Sequence, residues 1–180
     1  STQELIVISE RIDRNGQVLT TPNDQEIKKI ASDLGSSGKR NAVVSFLHSC
    51  RNPEHEIKVA EILSEAGFRK VVVSSSLYNF PKWLPRLESG VVEAYLSDVL
   101  DHYLNQVQDA LDQPDSLRVM SSAGGLQKRS KYRAIDSLLS GPAAGVVGAG
   151  SVAKSAGLQD FINLDMGGTS TDVSRYSGHF

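Results

Sequence analysis

Apolar and polar positions along this chain switch repeatedly between a two-residue and a 3.6-residue period. Residues 4–8 alternate and run on through Arg11-Ile12-Asp13; Arg14-Asn15-Gly16 then offers a tight turn and Gln17-Val18-Leu19 returns. An Asn-Gly pair between two such runs predicts a β-hairpin. Thr21 or Asn23 can cap the next helix, whose face is Ile27, Ile30, Ala31 and Leu34, with Gly35 ending it. Residues 42–47 form a short apolar run of strand type. Asn52 as N-cap, Pro53 at the first helical position and Gly67 beyond the end frame a second helix, with Val59, Ile62, Leu63 and Ala66 on one face. Val71-Val72-Val73 completes a strand–helix–strand unit, which implies parallel pairing and a right-handed crossover.

Residues 74–86 read as a loop with two prolines, packed down by Tyr78 and Trp83. Residues 88–112 predict the longest helix, with Val92, Tyr95, Leu96, Val99, Tyr103, Val107 and Leu111 as its core stripe. Residues 117–120 are a further strand, running into Ser121-Ser122-Ala123-Gly124-Gly125, a loop placed to reach a ligand cleft. Lys128, Arg129, Lys131 and Arg133 read as a solvated basic face. From Ser140-Gly141-Pro142 onward a helix carries the small residues Ala143, Ala144, Gly145, Gly148, Ala149 and Gly150. Each interior glycine costs up to about 1 kcal/mol relative to alanine. Three of them predict that another backbone approaches closely. Residues 161–164 are the next strand, and residues 173–176 return from it.

The expected fold is α/β: a largely parallel sheet centred on residues 43–47, 71–73 and 117–120, flanked by helices. The expected lobes are residues 1–140 and the start of a second, incomplete one at residues 141–180. The segment from Phe161 onward is expected to be the least well packed, its sheet partners following Phe180.

Composition narrows the class of protein. A chain of 180 residues can bury one good core. A net charge of −2, without an aromatic-plus-basic stripe, argues against a nucleic-acid partner. The single Cys50 makes no internal disulfide, as in a reducing cytoplasm. No charged n-region leads into a long apolar core, so no signal peptide is read. The small-residue run at 143–153 is too short and too Gly-rich to span a bilayer, so no membrane partner is expected.

Candidate chemistry concentrates in Asp165-Met166-Gly167-Gly168-Thr169-Ser170-Thr171-Asp172. An apolar strand delivers the chain to an acid, two glycines, three hydroxyls and a second acid. Glycines let backbone N–H groups approach an anion, hydroxyls add donors, and a carboxylate can hold hydrated Mg²⁺ or orient a water. The stretch reads as a phosphate-gripping turn between two strands; an ordinary Gly- and Thr-rich hairpin is the alternative. His48, His55 and Glu56 invite a metal reading as well. His55 and Glu56 are adjacent, however, and on a helix point about 100° apart. The plainer reading places all three at the C-terminal edge of a strand and the start of a helix, where ligands of doubly wound sheets lie.

The Asp165–Val173 stretch resembles the second phosphate motif of the hydantoinase A/5-oxoprolinase family, to which N-methylhydantoinase A and the acetone carboxylase beta subunit belong. Ser140-Gly141-Pro142-Ala143-Ala144-Gly145-Val146-Val147-Gly148 resembles the family's helix start. Leu47-His48-Ser49 with Arg51-Asn52-Pro53-Glu54-His55-Glu56 resembles a third family stretch, and Glu93-Ala94-Tyr95-Leu96 and Ser122-Ala123-Gly124-Gly125-Leu126 are fainter echoes. The resemblance implies a ribonuclease H/actin-like ATPase lobe, ATP and Mg²⁺ as cofactors, and ATP-dependent opening of a cyclic amide such as 5-oxoproline or a hydantoin through a phosphorylated amide. In that scheme Asp165 is the catalytic and metal-holding residue, Gly167, Gly168 and Thr169 grip phosphate, and Thr171 supports them. Asp172 stabilises the turn. The implied partners are the remainder of a larger subunit and a hydantoinase B-type subunit. The family's first phosphate loop and nucleoside-binding region have no counterpart here, so the expectation is an internal fragment, inactive by itself. The alternatives are an ATP-binding module of a ketone carboxylase and a folded non-catalytic piece.

Overall fold

The computed structural model describes residues 4–177. The chain divides into two compact units, residues 1–98 and 99–180. The sequence pattern places its lobe boundary at residue 140.

The first unit begins with the expected hairpin, β1 (Arg11–Ile12) against β2 (Val18–Thr20), antiparallel. Its turn is organised by Asp13, whose Oδ1 accepts from the backbone N–H groups of Asn15 and Gln17, both at 2.8 Å. Gly16 supplies the left-handed residue, at φ +88°. Residues 4–10 keep an alternation, with Leu5 and Val7 exposed and Ile8 packed on the core, but no strand pairs with them.

Helix α1 (Asp24–Ser36) is capped by Asn23, which accepts from the N–H groups of Gln25 and Glu26. It runs past the expected stop at Gly35. The left-handed residue is Gly38 at φ +82°, and Lys39 N–H bonds back to the Leu34 carbonyl. A residue at φ > 0 ends a helix, and Gly35 is not at one. Helix α2 (Glu54–Glu65) closes in the same way at Gly67 (φ +90°), as the sequence predicts. Asn52 accepts from Glu54 N–H at its start.

Strands β3 (Asn41–Val44) and β4 (Lys70–Val73) pair parallel around α2, Val44 opposite Val73. Ile27, Ala31, Val44, Val59, Ile62, Leu63 and Phe68 form the core beneath them. A one-turn helix, α3 (Ser74–Leu77), follows β4 directly.

Helix α4 (Trp83–Asp109) starts five residues before its expected beginning, with Pro85 in the first turn, where a missing N–H is harmless. Its inward stripe is not the expected one. Arg86, Gly90, Glu93, Ala94, Ser97 and Leu104 are buried, whereas Tyr95 and Val99 are each 75% exposed and Tyr103 58%. The reason is close approach: a Cβ on Gly90 would lie 2.6 Å from Val43 Cγ1, so a small, partly polar face lies on the sheet.

In the second unit, β5 (Arg118–Met120) pairs antiparallel with β6 (Leu126–Lys128), not with β3 or β4. Among the described residues one pair of strands is parallel and three are hairpins, so the chain is α/β with small sheets. Of the basic cluster, Arg129 pairs with Asp101 at 2.7 Å and Arg133 with Asp136 at 3.0 Å rather than facing solvent alone. Helix α5 (Ser140–Ser155) packs against β5 and against the final hairpin, β7 (Asp160–Met166) with β8 (Thr171–Ser177). Among the described residues no helix is long and apolar enough to cross a membrane.

Candidate phosphate-binding site

The β7–β8 register fixes the candidate site. Phe161 lies opposite Tyr176, Asn163 opposite Ser174 and Asp165 opposite Asp172, so all six side chains share one face. This face meets α5: Asp165 Oδ2 lies 2.9 Å from where a Cβ on Gly145 would stand. The small residue at 145 therefore makes room for a carboxylate, not for a second backbone. Gly148 has open space beside it, contrary to the close packing expected there, while Gly150 is buried. The opposite face carries Ile162, Leu164, Met166 and Val173, each 61–74% exposed, as expected for the least packed segment.

Asp165 and Asp172 thus stand directly across the ladder as two like charges, an arrangement that destabilises a bare hairpin. Beyond them Gly167 N–H bonds to the Ser170 carbonyl at 2.9 Å, leaving Gly168 and Thr169 at the tip. Neither Gly167 nor Gly168 has a positive φ, so the turn does not need glycine for its backbone conformation. A Cβ at Gly168 would meet nothing within 4 Å. What glycine contributes there is clearance. The N–H groups of Gly168 and Thr169 have no partner among the described residues, and Thr169, Ser170 and Thr171 add hydroxyls along the same turn. All five predicted site residues, Asp165, Gly167, Gly168, Thr169 and Thr171, are exposed on one hairpin.

These groups fit a phosphate chain with its cation. Free N–H groups and hydroxyls are donors for phosphate oxygens. Mg²⁺ is normally held by one or two carboxylates, with water and phosphate completing its shell. Two carboxylates are what the hairpin offers, and no cluster of three or more His, Cys, Asp or Glu that could hold a metal exists among the described residues.

The metal reading of His48, His55 and Glu56 gives way to a different arrangement. His55 Nδ1 lies 2.8 Å from Glu10 Oε2. Glu56 and Arg86, both fully buried, form an ion pair at the C-terminal edge of β3 and β4. Glu56 Oε1 accepts from Phe46 N–H (2.7 Å), Ser49 Oγ (2.6 Å) and Ser74 Oγ (2.8 Å), and its Oε2 from Ser75 N–H (2.9 Å). Arg86 donates to Ser49 Oγ, Ser74 Oγ and the Phe46 carbonyl at 2.6–2.9 Å. The pair captures both backbone groups of Phe46, which is why β3 stops at Val44 instead of continuing to residue 47. No periodicity announces Arg86, which sits in a Pro-flanked segment that reads as loop. The Ser121–Gly125 loop lies on α5, where Gly124 (φ +76°) meets Val147.

The fold is that of an α/β chain with a Gly- and Thr-rich hairpin packed on a small-residue helix. A family described as hydantoinase/oxoprolinase matches residues 86–180, and its N-terminal region matches residues 1–67. The chain belongs to the hydantoinase/oxoprolinase family. It is 39% identical to the 5-oxoprolinase of Saccharomyces cerevisiae over 163 residues, covering 89% of this chain and 13% of the yeast protein. Acetone carboxylase in a nucleotide-free structure superposes with a TM-score of 0.85 at 27% identity, over 96% of this chain and 26% of that one. The ATP-dependent caprolactamase from Pseudomonas jessenii gives a TM-score of 0.79 at 26% identity, over 93% and 25% of the two chains.

Proposed function

We propose that this chain is the phosphate-hairpin portion of an ATP-dependent hydrolase that opens a cyclic amide, 5-oxoproline or a hydantoin. The observation that carries the reading is the hairpin: Asp165 opposite Asp172, with the free N–H groups of Gly168 and Thr169 beyond them. An unstrained lactam resists water because its nitrogen leaves poorly. Moving the terminal phosphoryl group of ATP onto the amide oxygen, with loss of ADP, gives a carbon that water attacks readily. Gly168 and Thr169 hold phosphate oxygens through backbone and hydroxyl donors, Gly167 closes the turn through its N–H on the Ser170 carbonyl and leaves clearance for the phosphate, and Thr171 supports them. Asp165 holds the cation, which when bound offsets charge on the transferring group. Asp172 stands directly opposite as a second carboxylate.

A ketone carboxylase module is the second reading, favoured by the similarity to acetone carboxylase. ATP consumption by the full-length parent, measured against a panel of lactams, hydantoins and ketones, separates the two. Stimulation by a cyclic amide alone supports the hydrolase. Stimulation by a ketone with bicarbonate supports the carboxylase. In the 180-residue chain one phosphate turn leaves a triphosphate open to water, which weakens each electrostatic contact. Calorimetric titration with Mg-ATP should therefore show binding weaker than millimolar, and micromolar binding would mean that a complete nucleotide site is present.

A further inference from the structure

His48 is the one described residue other than glycine with a positive φ, at +64°. A left-handed backbone is costly for most side chains, and such positions cluster at functional sites. Here the surroundings enforce it. The buried Glu56–Arg86 pair holds Phe46 by its N–H and carbonyl and Ser49 by its hydroxyl, bracketing His48 on both sides. The His48 carbonyl in turn accepts from Arg51 N–H at 2.8 Å. The turn so built lies at the C-terminal edge of the parallel pair, where open α/β sheets place ligands.

Two further observations fall on that edge. Ser45 and Ser75, just past the ends of β3 and β4, have hydroxyls shielded from solvent and without a hydrogen-bond partner, and Ser75 is 8% exposed. Buried hydroxyls are ordinarily partnered, so these are open positions for a ligand or water. Arg51 is exposed and has no ion-pair partner among the described residues; neither has Lys82, whose neighbour Trp83 bonds the Ser45 carbonyl at 3.2 Å. The acids at hand are engaged, Glu54 by Asn52 Nδ2 at 3.2 Å and Glu10 by His55 Nδ1 at 2.8 Å. The ion pair beneath is neutral as a unit.

We propose that this edge binds a small carboxylate, with His48 as its contact residue and the Glu56–Arg86 pair as the device that positions it. A carboxylate offers two oxygens and a full negative charge to imidazole N–H, guanidinium and hydroxyl donors, where a neutral lactam offers one uncharged carbonyl. The natural ligand rests on the proposed function: 5-oxoproline is a lactam that carries a carboxylate.

The test reads the His48 imidazole signals of the 180-residue chain by proton–nitrogen NMR, with neither ATP nor turnover. Its failure is therefore distinct from failure of the hydrolase reading. 5-Oxoproline and acetate should shift these signals saturably in the millimolar range, and 2-pyrrolidone, the same ring without the carboxylate, should not. His48→Gly should abolish 5-oxoproline binding while melting no lower than the parent chain, because glycine accepts φ +64°. Glu56→Gln should weaken binding several-fold with His48 still present; Arg86→Lys serves the same end should Glu56→Gln fail to fold. Silence of the His48 signals to both carboxylates, or an equal response to 2-pyrrolidone, overturns the proposal. Unchanged 5-oxoproline binding by His48→Gly overturns it as well.

Discussion

Gly90 of α4 lies so close to Val43 of β3 that a Cβ on the glycine would stand 2.6 Å from Val43 Cγ1. Alanine there gains about 0.5–1 kcal/mol of helix propensity. It also forces a short, branched side chain out of a packed sheet face, which costs about 1–3 kcal/mol. The steric term wins, so Gly90→Ala should lower the stability of the chain in urea unfolding. Gly148→Ala, with open space at its Cβ, should raise it by up to about 1 kcal/mol.

The Glu56–Arg86 pair makes a second prediction. Removing one partner of a fully buried pair leaves the other charge unpaired, at a cost of about 3–5 kcal/mol. Glu56→Leu and Arg86→Met should each be that damaging. The double substitution should cost less than the sum of the two, because it leaves no orphaned charge. Urea melts of the four proteins form the cycle, and additive losses would show that the pair acts as two independent anchors.

Why this pair escaped the sequence, while the hairpin did not, is a matter of range. Asp165 to Asp172 lie within eight consecutive positions, so their chemistry is written locally, and so are the caps at Asn23, Asn52 and Gly67. Glu56 and Arg86 are thirty residues apart. The stripe of α4 misled for the same reason. Tyr95, Val99 and Tyr103 have the helical spacing of a core face, but Gly90 and Arg86 decide which face turns inward, through a tertiary contact that a one-dimensional pattern does not encode. Likewise residues 118–120 look like another parallel strand, and the loop to residue 126 turns them into a hairpin.

Asp13 links the first hairpin to pH. Its carboxyl is held below the ordinary carboxylate range, first by the N–H of Gln17 and then by Asn15 and Gly16, against a smaller opposing effect of burial. A lowered value means that the folded state favours the ionised form. The contribution is complete above the ordinary value and disappears as pH falls through the lowered one. The difference in melting temperature between the parent chain and Asp13→Ala should therefore be constant near neutrality and shrink in acid. A difference that grew in acid would mean that the carboxyl acts in its protonated form.

The last prediction joins Gly145 to Asp165. Asp165 Oδ2 occupies the space that a Cβ at 145 would need, at 2.9 Å, so Gly145→Ala should displace the carboxylate without touching the turn. In the full-length parent, Asp165→Asn should reduce ATP hydrolysis by about 10²-fold or more, since it keeps shape and removes the charge that holds the cation. Gly145→Ala should reproduce part of that loss with an increased Mg²⁺ requirement, and the pair of changes together should be little worse than Asp165→Asn alone. Asp172→Asn behaves differently. It relieves a directly opposed like charge, worth about 0.2–1 kcal/mol in a cross-strand pair, and should stabilise the hairpin while costing less activity than Asp165→Asn. Stability measured without Mg²⁺ and turnover measured across a Mg²⁺ titration together decide it. If Gly145→Ala leaves the Mg²⁺ dependence unchanged, the contact with α5 does not set the position of the carboxylate.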